Sequence, residues 1–340
     1  MMKKSLGIGI IGLGMGSNLL QVNRNPRSRL EVRALCDINE ERLESLGREW
    51  GIRNLTTNYK ELVEREDIDI VGVYTPDHLH FEHCSAALKA GKHVICTKPM
   101  VTSVEDAERL VRLVEETGLK FLVGQTCRFN LTFMAAKKLC DDGDLGEIIF
   151  AEAHYVHDMR PVFDATPWRY QAPQDFMYGG ACHPIDLLIW FLGDVKEVFT
   201  YGVKSGMDER YTLLEDDFLI NLKFKNGKIG RVLAAYGLVE PPIPMLGIGI
   251  YGKKGSIVND KVVFDKIEGK PVLHLSFPSE RGHGGEVMRY LRHFEDCIIN
   301  DRKPLVDVRE GAKVIATCSA SWESLRKGVP VEVKPDFSEN

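Results

Sequence analysis

Short apolar runs alternate with longer amphipathic segments through the first 125 positions. Residues 6–11 form an apolar run that ends in glycines, and residues 30–36, LEVRALC, form a second. Two further runs, around residues 70–74 and 93–97, are separated by a segment with helical spacing. Apolar runs that alternate with helical patterns predict parallel strands joined by crossover helices, and hence an α/β doubly wound sheet.

One helix of this first half carries both of its end signals. Ser103 precedes the amphipathic pattern VEDAERLVRLVEET, whose first turn is acidic, and Gly118 follows it. A serine cap, early carboxylates and a terminal glycine are typical of a complete helix. Another apolar strand is predicted at residues 120–125.

From residue 126 onward the pattern predicts fewer helices and many consecutive strands. Hairpin signals occur between about 195 and 266, and Asn226-Gly227 predicts a two-residue turn. Strands without intervening helices favour a mostly antiparallel sheet. The other predicted elements are helices near 131–142, 181–192, 285–299 and 308–327, a strand at 147–156 and the short strand VPVEV.

The length of 340 residues exceeds what one hydrophobic core usually holds, so two domains are expected. Residues 1–125 are predicted to form a dinucleotide-binding Rossmann domain. Residues 126–340 are predicted to form an α+β domain with an open, mostly antiparallel sheet. Packing of its C-terminal helix against the first domain is an alternative that the sequence leaves open.

Composition excludes several classes of protein. The net charge of −5 comes without a basic stripe, which argues against a nucleic-acid partner. The eight cysteines are scattered without a CxxC pair, which favours reduced thiols in a cytoplasmic protein over disulfides. No apolar run approaches the roughly 20 residues that a membrane-spanning helix needs, so no membrane partner is expected.

The first strand ends in the glycine-rich turn Gly12 to Ser17. A phosphate-binding turn needs glycine where the chain bends and where the backbone approaches the pyrophosphate, and Gly12 and Gly14 supply those positions. Ser17 stands at the third fingerprint position, where glycine or alanine is usual. Glycine turns without a nucleotide are common, so this motif alone is weak.

An acidic residue strengthens the interpretation. Asp37 follows the second strand, where a carboxylate can accept hydrogen bonds from the ribose hydroxyls. The alternative is a helix cap. Because Asp37 is followed by Ile38, with no adjacent arginine to receive a 2′-phosphate, NAD is expected as the cofactor and NADP is less favoured.

Polar residues at the ends of later strands are further candidates. In open parallel sheets, ligands bind at the carboxyl ends of the strands. Thr75, Pro76, Thr97 and Lys98 lie at such ends. His78, His80 and His83 form the pattern HxHxEH with Glu82, but they begin a helix of the nucleotide-binding sheet and lack an identifiable downstream ligand set, so no metal site is predicted.

Taken in order, several motifs resemble the Gfo/Idh/MocA oxidoreductases, the family that includes glucose-fructose oxidoreductase and inositol dehydrogenase. They span almost the whole chain: IIGLGMG, the strand end at Asp37, TPDHLH, AALKAGKHVICTKP, the strand end at Arg128, GACHPIDLL and DRKPLVDVREGAKVIATCSASWESLRKG. The resemblance implies an N-terminal Rossmann domain that binds NAD or NADP and a C-terminal α/β domain. It also implies a homo-oligomer, here expected to be a homodimer or homotetramer.

The resemblance also implies roles for individual residues. Lys98 corresponds to the catalytic lysine between nicotinamide and substrate, and His183 to the acid/base that acts on the substrate hydroxyl. The expected cofactor-binding residues are Gly12, Leu13, Gly14, Met15, Gly16, Asp37, Thr75, Pro76, His80, Thr97, Lys98, Gln125, Trp168 and Arg169. The expected substrate-binding residues are Lys98, Arg128, His154, His157, Tyr178, His183 and Asp186.

Two positions depart from the family pattern. Thr97 replaces the glutamate that precedes the catalytic lysine, and Gly179 replaces an aspartate four residues before the catalytic histidine. That aspartate helps to hold the substrate hydroxyl and orient the base. Asp175, Tyr178 and Asp186 are the candidates to replace it.

The function expected from these residues is NAD-dependent oxidation of a CH–OH group of a sugar, sugar derivative or cyclitol. One alternative, raised by Gly179, is a glycoside-cleaving enzyme that uses tightly bound NAD transiently. The other is a noncatalytic NAD-sensing protein, which the presence of both Lys98 and His183 disfavours.

Overall fold

The computed structural model describes residues 5–166, 169, 175–206, 215–239, 241–277 and 284–338. The chain divides into two compact units. The first unit comprises Met1–Phe129 and Ser279–Ala312, and the second comprises Asn130–Pro278 and Lys313–Asn340. The domain boundary expected from the sequence, between residues 125 and 126, stays a prediction.

The first unit contains a six-stranded parallel sheet in the order β3-β2-β1-β4-β5-β6. This is the order of a dinucleotide-binding sheet. Strands β2 and β3 are added on one side of β1, and β4, β5 and β6 are added on the other side. The predicted doubly wound fold is confirmed. The strands are β1 (Leu6–Ile11), β2 (Leu30–Cys36), β3 (Asn54–Thr56), β4 (Ile70–Val73), β5 (His93–Thr97) and β6 (Phe121–Gly124).

Helices of this unit begin and end at the residues that chemistry favours. The Asn39 side chain accepts from the Arg42 amide at the start of α1, and Ser103 accepts from the Asp106 amide at the start of α4. Gly118 ends α4 in the left-handed conformation. The helices are α1 (Glu40–Trp50), α2 (Tyr59–Val63), α3 (His80–Lys89) and α4 (Val104–Thr117), with 3-10 segments at Met15–Arg24, Asp77–Leu79 and Thr126–Phe129.

The second unit contains a nine-stranded sheet in the order β14-β13-β12-β11-β7-β10-β9-β8-β15. Among the described strand pairs of this nine-stranded sheet, only β7 and β10 run parallel. The predicted mostly antiparallel sheet is therefore confirmed. The strands are β7 (Ile148–Val156), β8 (Val195–Val203), β9 (Asp217–Phe224), β10 (Ile229–Ala235), β11 (Leu246–Gly252), β12 (Gly255–Val258), β13 (Lys261–Phe264), β14 (Leu273–His274) and β15 (Val331–Glu332).

Helices pack on one face of this sheet, and along β9 the side chains of the other face are exposed among the described residues. Strand β9 alternates between buried and exposed residues along its length. The apolar helix α7 packs on β7 and β10, and nearly all of its side chains are buried. The remaining helices, including the two that end the chain, are α5 (Leu131–Asp141), α6 (Arg160–Ala165), α7 (Cys182–Leu192), α8 (Gly284–Ile299) and α9 (Val308–Lys327).

The hairpin between β9 and β10 is present, but its loop differs from the predicted two-residue turn. Phe224 donates its amide to the Lys228 carbonyl, and Gly227 donates to the Phe224 carbonyl, so three residues form the loop. Gly227 has φ +85°, the left-handed conformation that a three-residue loop requires at its last position. The position of glycine fits either loop, so the sequence alone did not decide between them.

Across the described ranges of the chain, every helix is too short or too polar to cross a membrane.

Candidate active site

The glycine turn after β1 has the geometry of a phosphate-binding loop. Gly12 has φ +90°, and a Cβ there would lie 2.5 Å from the Tyr74 carbonyl oxygen, so only glycine fits. A Cβ on Gly14 would meet no atom of the described residues within 4 Å beyond its chain neighbours, which leaves that side of the turn open to a ligand. The 3-10 segment that begins at Met15 directs its first amides toward this turn.

Close packing of this segment on the sheet depends on Gly16, not on Ser17 as the fingerprint spacing suggests. A Cβ on Gly16 would lie 2.9 Å from Ile10 Cγ2 and 3.0 Å from Tyr74 Cβ. Ser17 is half-exposed, and its hydroxyl donates to the Gly14 carbonyl. A 3-10 helix has fewer residues per turn than an α-helix, so the residue that faces the strand is Gly16, one position before Ser17. The sequence contains no signal for this difference.

Asp37 connects the glycine turn to the start of α1. Its Oδ2 accepts from the Leu13 amide at 2.7 Å, and its Oδ1 accepts from the Asn39 amide at 2.8 Å. Asp37 is largely buried. An ionised carboxylate has about four acceptor positions, so two backbone bonds leave capacity for ribose hydroxyls. The helix-capping and ribose-binding interpretations of Asp37 are therefore compatible.

The expectation that no arginine stands beside Asp37 is wrong. Arg42 Nη1 lies 3.7 Å from Asp37 Oδ2, and the Arg42 side chain is about half exposed. Arg42 lies in the first turn of α1, which brings it back toward the end of β2. The sequence prediction considered only the residue next to Asp37. Arg42 is five residues later and comes close to Asp37 because the first turn of α1 folds back toward it.

The ends of β4 and β5 are joined by histidines. The Thr75 hydroxyl contacts His83 Nδ1 at 3.0 Å, and burial lowers the pKa of His83. His80 is fully buried and contacts the carbonyl oxygens of Thr75 and Pro99. His80 therefore supports the strand ends from beneath. The metal-like pattern HxHxEH has a structural explanation in these contacts.

Strand β6 approaches β5 closely beside Lys98. Thr97 pairs with Gly124, and a Cβ on Gly124 would lie 2.9 Å from Thr97 Cα and 3.3 Å from the Lys98 nitrogen. Lys98 itself is half-buried, and the next residue is Pro99. Gly124 thus fixes the distance between the two strands at the predicted catalytic lysine.

Gln125 follows β6 and lies beside the ends of the neighbouring strands of the sheet. Its side-chain Oε1 is buried and, within the part of the chain that the structure describes, has no hydrogen-bond partner. A buried acceptor without a partner is costly, so its position fits a donor supplied by a ligand such as an amide group. Together with the open side of Gly14 and the remaining capacity of Asp37, it makes this surface suited to a dinucleotide.

Arg128 was expected to contact substrate, and its environment favours a structural role. The side chain is almost fully buried and forms an ion pair with Glu310 at 3.0 Å inside the first unit. Removing one partner of a buried pair leaves a costly uncompensated charge. Arg128 connects the 3-10 segment after β6 to the start of α9.

In the second unit, His183 lies in the first turn of α7. It is largely buried, and its ring meets the Tyr155 ring edge-on with centroids 5.4 Å apart. Tyr155 meets Tyr236 in the same way at 5.5 Å. The Tyr155 ring of β7 thus packs against one side of the imidazole, and Tyr236, which follows β10, packs on Tyr155. Sequence reasoning missed both tyrosines, although alternation along β7 places Tyr155 on the face that α7 covers.

The helix that carries His183 begins earlier than the predicted residue 181. A wide π turn covers Met177–Ala181 before the regular helix starts at Cys182. Pro184 has no amide to donate into this turn, which removes one bond of a regular α-helix. A Cβ on Gly180 would lie 2.2 Å from the Tyr236 hydroxyl oxygen, so the turn also needs glycine there to pack against β10.

The three candidates to replace the absent aspartate have different surroundings. Asp175 is committed to the fold, because its carboxylate accepts from the Trp322 indole at 2.9 Å and from the Met177 amide at 2.8 Å. Burial raises the pKa of Tyr178 above its usual range, so its phenol remains protonated. Asp186 is fully buried on α7, one turn after His183.

His154 lies within β7, whereas His157 follows the end of that strand. His154 Nε2 contacts the Pro244 carbonyl at 2.9 Å, on the face opposite Tyr155. Glu152 shares that face and binds Arg231 and Tyr251. His157 lies beyond the strand end beside Tyr155, with ring centroids 6.2 Å apart, and its Nδ1 is buried without a partner among the described residues.

Of the predicted tryptophan–arginine pair, Trp168 lies outside the described residues. Arg169 donates its backbone amide and its Nε to Thr166, at 3.0 and 2.9 Å. Met15 has 56% of its surface accessible and borders the glycine turn.

Comparison with known proteins agrees with these features over most of the chain. Residues 6–125 match the family model described as "Oxidoreductase family, NAD-binding Rossmann fold", and residues 137–333 match "Oxidoreductase family, C-terminal alpha/beta domain". The chain belongs to the Gfo/Idh/MocA oxidoreductase family. The expected NAD-binding Rossmann domain is thereby confirmed.

Relatives within the Gfo/Idh/MocA family include enzymes named for sugars and cyclitols. Levoglucosan dehydrogenase of Pseudarthrobacter phenanthrenivorans is 26% identical over 294 residues, covering 75% of this chain and 73% of the relative. A scyllo-inositol 2-dehydrogenase (NADP(+)) of Bacillus subtilis is 28% identical and covers 95% of this chain and 94% of its own length.

Solved structures of the same family share the fold. A levoglucosan dehydrogenase in complex with NADH and levoglucosan superposes with a TM-score of 0.87 at 23% identity, over 97% of this chain and all of the other. A probable dehydrogenase from Thermotoga maritima gives a TM-score of 0.82 at 24% identity, covering 96% and 99%. At these identities the likeness concerns the fold.

Proposed function

We propose that this protein is an NAD-dependent dehydrogenase that oxidises a CH–OH group of a sugar, sugar derivative or cyclitol. The observation that carries the proposal is the row of strand ends in the first unit, where the open glycine turn, Asp37 and the orphaned Gln125 oxygen accompany Lys98. The named activities of the family relatives support the substrate class.

In this proposal the chain's residues divide the chemistry between them. His183 accepts the hydroxyl proton of the substrate, a task for which histidine is suited because its ordinary pKa is near neutral. Lys98 holds a positive charge at the oxygen on which negative charge develops. The remaining predicted substrate residues, His157, Tyr178 and Asp186, would then orient the substrate and His183.

The cofactor would be held by the glycine turn, by Asp37 and by the ends of β4, β5 and β6. When bound, NAD supplies the hydride acceptor. The turn from Gly12 to Gly16 would receive the pyrophosphate against its amides, and Asp37 would accept from the ribose hydroxyls. Thr75, Pro76, Thr97, Lys98 and Gln125 would line the remaining part, with His80 beneath them.

The direct test is incubation of the purified protein with NAD and a panel of sugars, sugar acids and inositols, with NADH followed by its absorbance. The proposal expects substrate-dependent NADH release for at least one polyhydroxylated compound. Consumption of a glycoside without net NADH would instead support the glycoside-cleaving alternative. Neither that alternative nor the noncatalytic one is favoured by a specific feature of the structure.

Cofactor preference gives a sharper prediction. We expect NAD to bind at least about tenfold more tightly than NADP, because the Asp37 carboxylate would repel a 2′-phosphate. In Asp37→Ser the ratio should move toward NADP, since Arg42 remains near the same position. Fluorescence titration of both cofactors measures the ratio.

The matched control for this titration is Asp37→Ser combined with Arg42→Leu, which should lose the gain toward NADP. The ratio is the informative quantity, because loss of the Asp37 bond to the Leu13 amide weakens the binding of both cofactors. Tighter binding of NADP than of NAD by the wild-type protein would contradict the assignment.

The open face of the nine-stranded sheet supports the proposal of a homodimer or homotetramer. Tyr201, Leu219 and Ile229 present apolar side chains there with 61%, 46% and 53% of their surfaces accessible. Exposed apolar surface of this kind is typical of an association site. Leu219→Lys should therefore shift the protein toward monomer in light scattering, whereas Ile299→Lys, at the end of α8, should not. A monomeric wild-type protein would refute the proposal.

A cytoplasmic location accords with the cysteines. All eight are free, and seven of them are buried. Reduced buried thiols are typical of proteins that fold in a reducing compartment.

A further inference from the structure

His80 is placed where a neutral histidine does not satisfy its neighbours. It is the first residue of α3, and its side chain is fully buried in the first unit. Its Nδ1 lies 2.7 Å from the Pro99 carbonyl oxygen, and its Nε2 lies 2.8 Å from the Thr75 carbonyl oxygen. Both distances are those of hydrogen bonds.

The two partners decide the protonation of the ring. A carbonyl oxygen only accepts hydrogen bonds, so each ring nitrogen must donate a proton. A neutral imidazole has a single N–H, and its other nitrogen would turn a lone pair toward a carbonyl. The imidazolium satisfies both carbonyls, and a buried charge is tolerated where hydrogen bonds of this kind hold it.

The two carbonyls belong to segments that carry the site. Strands β4 and β5 are parallel neighbours, with Val73 paired to Cys96, so the residues that follow them lie side by side. Thr75 follows β4, and Pro99 follows Lys98 at the end of β5. The His80 ring therefore bridges the two strand ends that contribute the predicted catalytic lysine and the cofactor-lining Thr75-Pro76.

We propose that His80 is a buried imidazolium that ties the Thr75-Pro76 segment to the Lys98-Pro99 segment and so holds Lys98 in its working position. His80 is a positioning residue, because its ring acts on the lysine through the backbone. The effect on turnover rests on the role proposed above for Lys98, whereas the protonation state of His80 does not.

The groups around the ring set its titration. Cys96 from β5, Asp77 from the 3-10 segment and His83 from α3 face it, and Cys84, Tyr74 and Tyr290 interact with Cys96. Burial alone lowers the pKa of His80, but Cys96, Asp77 and the Thr75 carbonyl raise it to about 9. This pKa exceeds the value of about 6.5 in the unfolded chain. Protonated His80 therefore stabilises the folded state fully below about pH 6.5, and this stabilisation is lost as pH rises through about 9.

The first test reads the protonation directly in the wild-type protein. The protein is labelled with ¹⁵N-histidine, and the His80 ring is assigned through its own backbone. At pH 7.5, where an unperturbed histidine is roughly 90% neutral, we expect both ring nitrogens of His80 to carry protons. A single protonated nitrogen at that pH would overturn the imidazolium, whatever the activity of the enzyme.

The second test separates positioning from general support of the fold. We expect His80→Gln to lower kcat roughly 10- to 100-fold, because a displaced catalytic group loses rate steeply with distance. The difference in Tm between this variant and the wild type should shrink from pH 7 to pH 10. His78→Gln, at an exposed histidine two residues earlier, should change neither quantity. A Tm difference that is independent of pH would contradict a charged tie.

A double-mutant cycle with Lys98→Met completes the test. If His80 acts through Lys98, adding His80→Gln to Lys98→Met should lower kcat little further. Losses that multiply would overturn the positioning role. Normal turnover in Lys98→Met alone would refute the role proposed for Lys98 instead, and the labelled-histidine spectrum would still decide the state of His80.

Discussion

Replacing His183 with asparagine should lower kcat by about 100-fold or more and leave NAD affinity nearly unchanged. Asparagine keeps a polar side chain at the start of α7 but cannot take up a proton near neutral pH. The loss expected when a positioned acid/base is removed is roughly 100- to 10,000-fold. Steady-state kinetics with the best substrate of the panel, together with NAD titration, measures both quantities.

The matched control for His183 is His274→Asn. His274 is an exposed histidine of β14 in the same unit and pairs with Asp260. Its replacement should leave kcat and the Tm unchanged. A His183→Asn enzyme with normal turnover would remove His183 from the mechanism, and its packing against Tyr155 would then point to a structural role.

Lys98→Met should lower kcat by roughly 100- to 1,000-fold, the range seen when one preorganised electrostatic group is removed. Methionine keeps the apolar stem of the side chain and removes its charge. The dissociation constant for NAD should change far less, because the glycine turn and Asp37 are untouched. If NAD binding and turnover fell together, Lys98 would be a cofactor ligand without a separate part in the chemistry.

Lys89→Met is the corresponding control. Lys89 is exposed in the last turn of α3, and the same change there removes a charge without touching a strand end. Both kcat and NAD affinity should stay at the wild-type values. Loss of activity in this control would point to a general charge effect and would weaken the argument for Lys98.

The sequence predicted regular elements well where burial and capping agree. Strand β2 begins and ends where the apolar run LEVRALC does, and α4 begins after Ser103 and ends before Gly118. In these segments each residue's own chemistry determines the outcome.

The predictions failed where a local choice depended on contacts distant in sequence. The one-residue shift from Ser17 to Gly16 follows from how the 3-10 segment packs on Ile10 and Tyr74. Arg42 reaches Asp37 through the geometry of α1. Asp175 is committed to Trp322, 147 residues away in the chain. Sequence spacing contains none of these distances.

Within the candidate site, the structure supplies hydrogen-bond partners that the motifs do not reveal. His80 was expected to line the cofactor, and the structure buries it under two backbone carbonyls. Arg128 was expected to contact substrate, and it forms a buried ion pair. A motif records that a residue type is needed at a position, but only the hydrogen-bond partners show which atoms it serves.

The close approach of β6 to β5 has a consequence for random mutagenesis. Gly124 has no functional group, yet any side chain there would have to push Thr97 and the Lys98 nitrogen aside. In a library screened for activity, substitutions at Gly124 should therefore be as damaging as substitutions of Lys98, the predicted catalytic lysine. A map of inactivating mutations would mark this glycine as part of the catalytic centre, although it takes no part in the reaction.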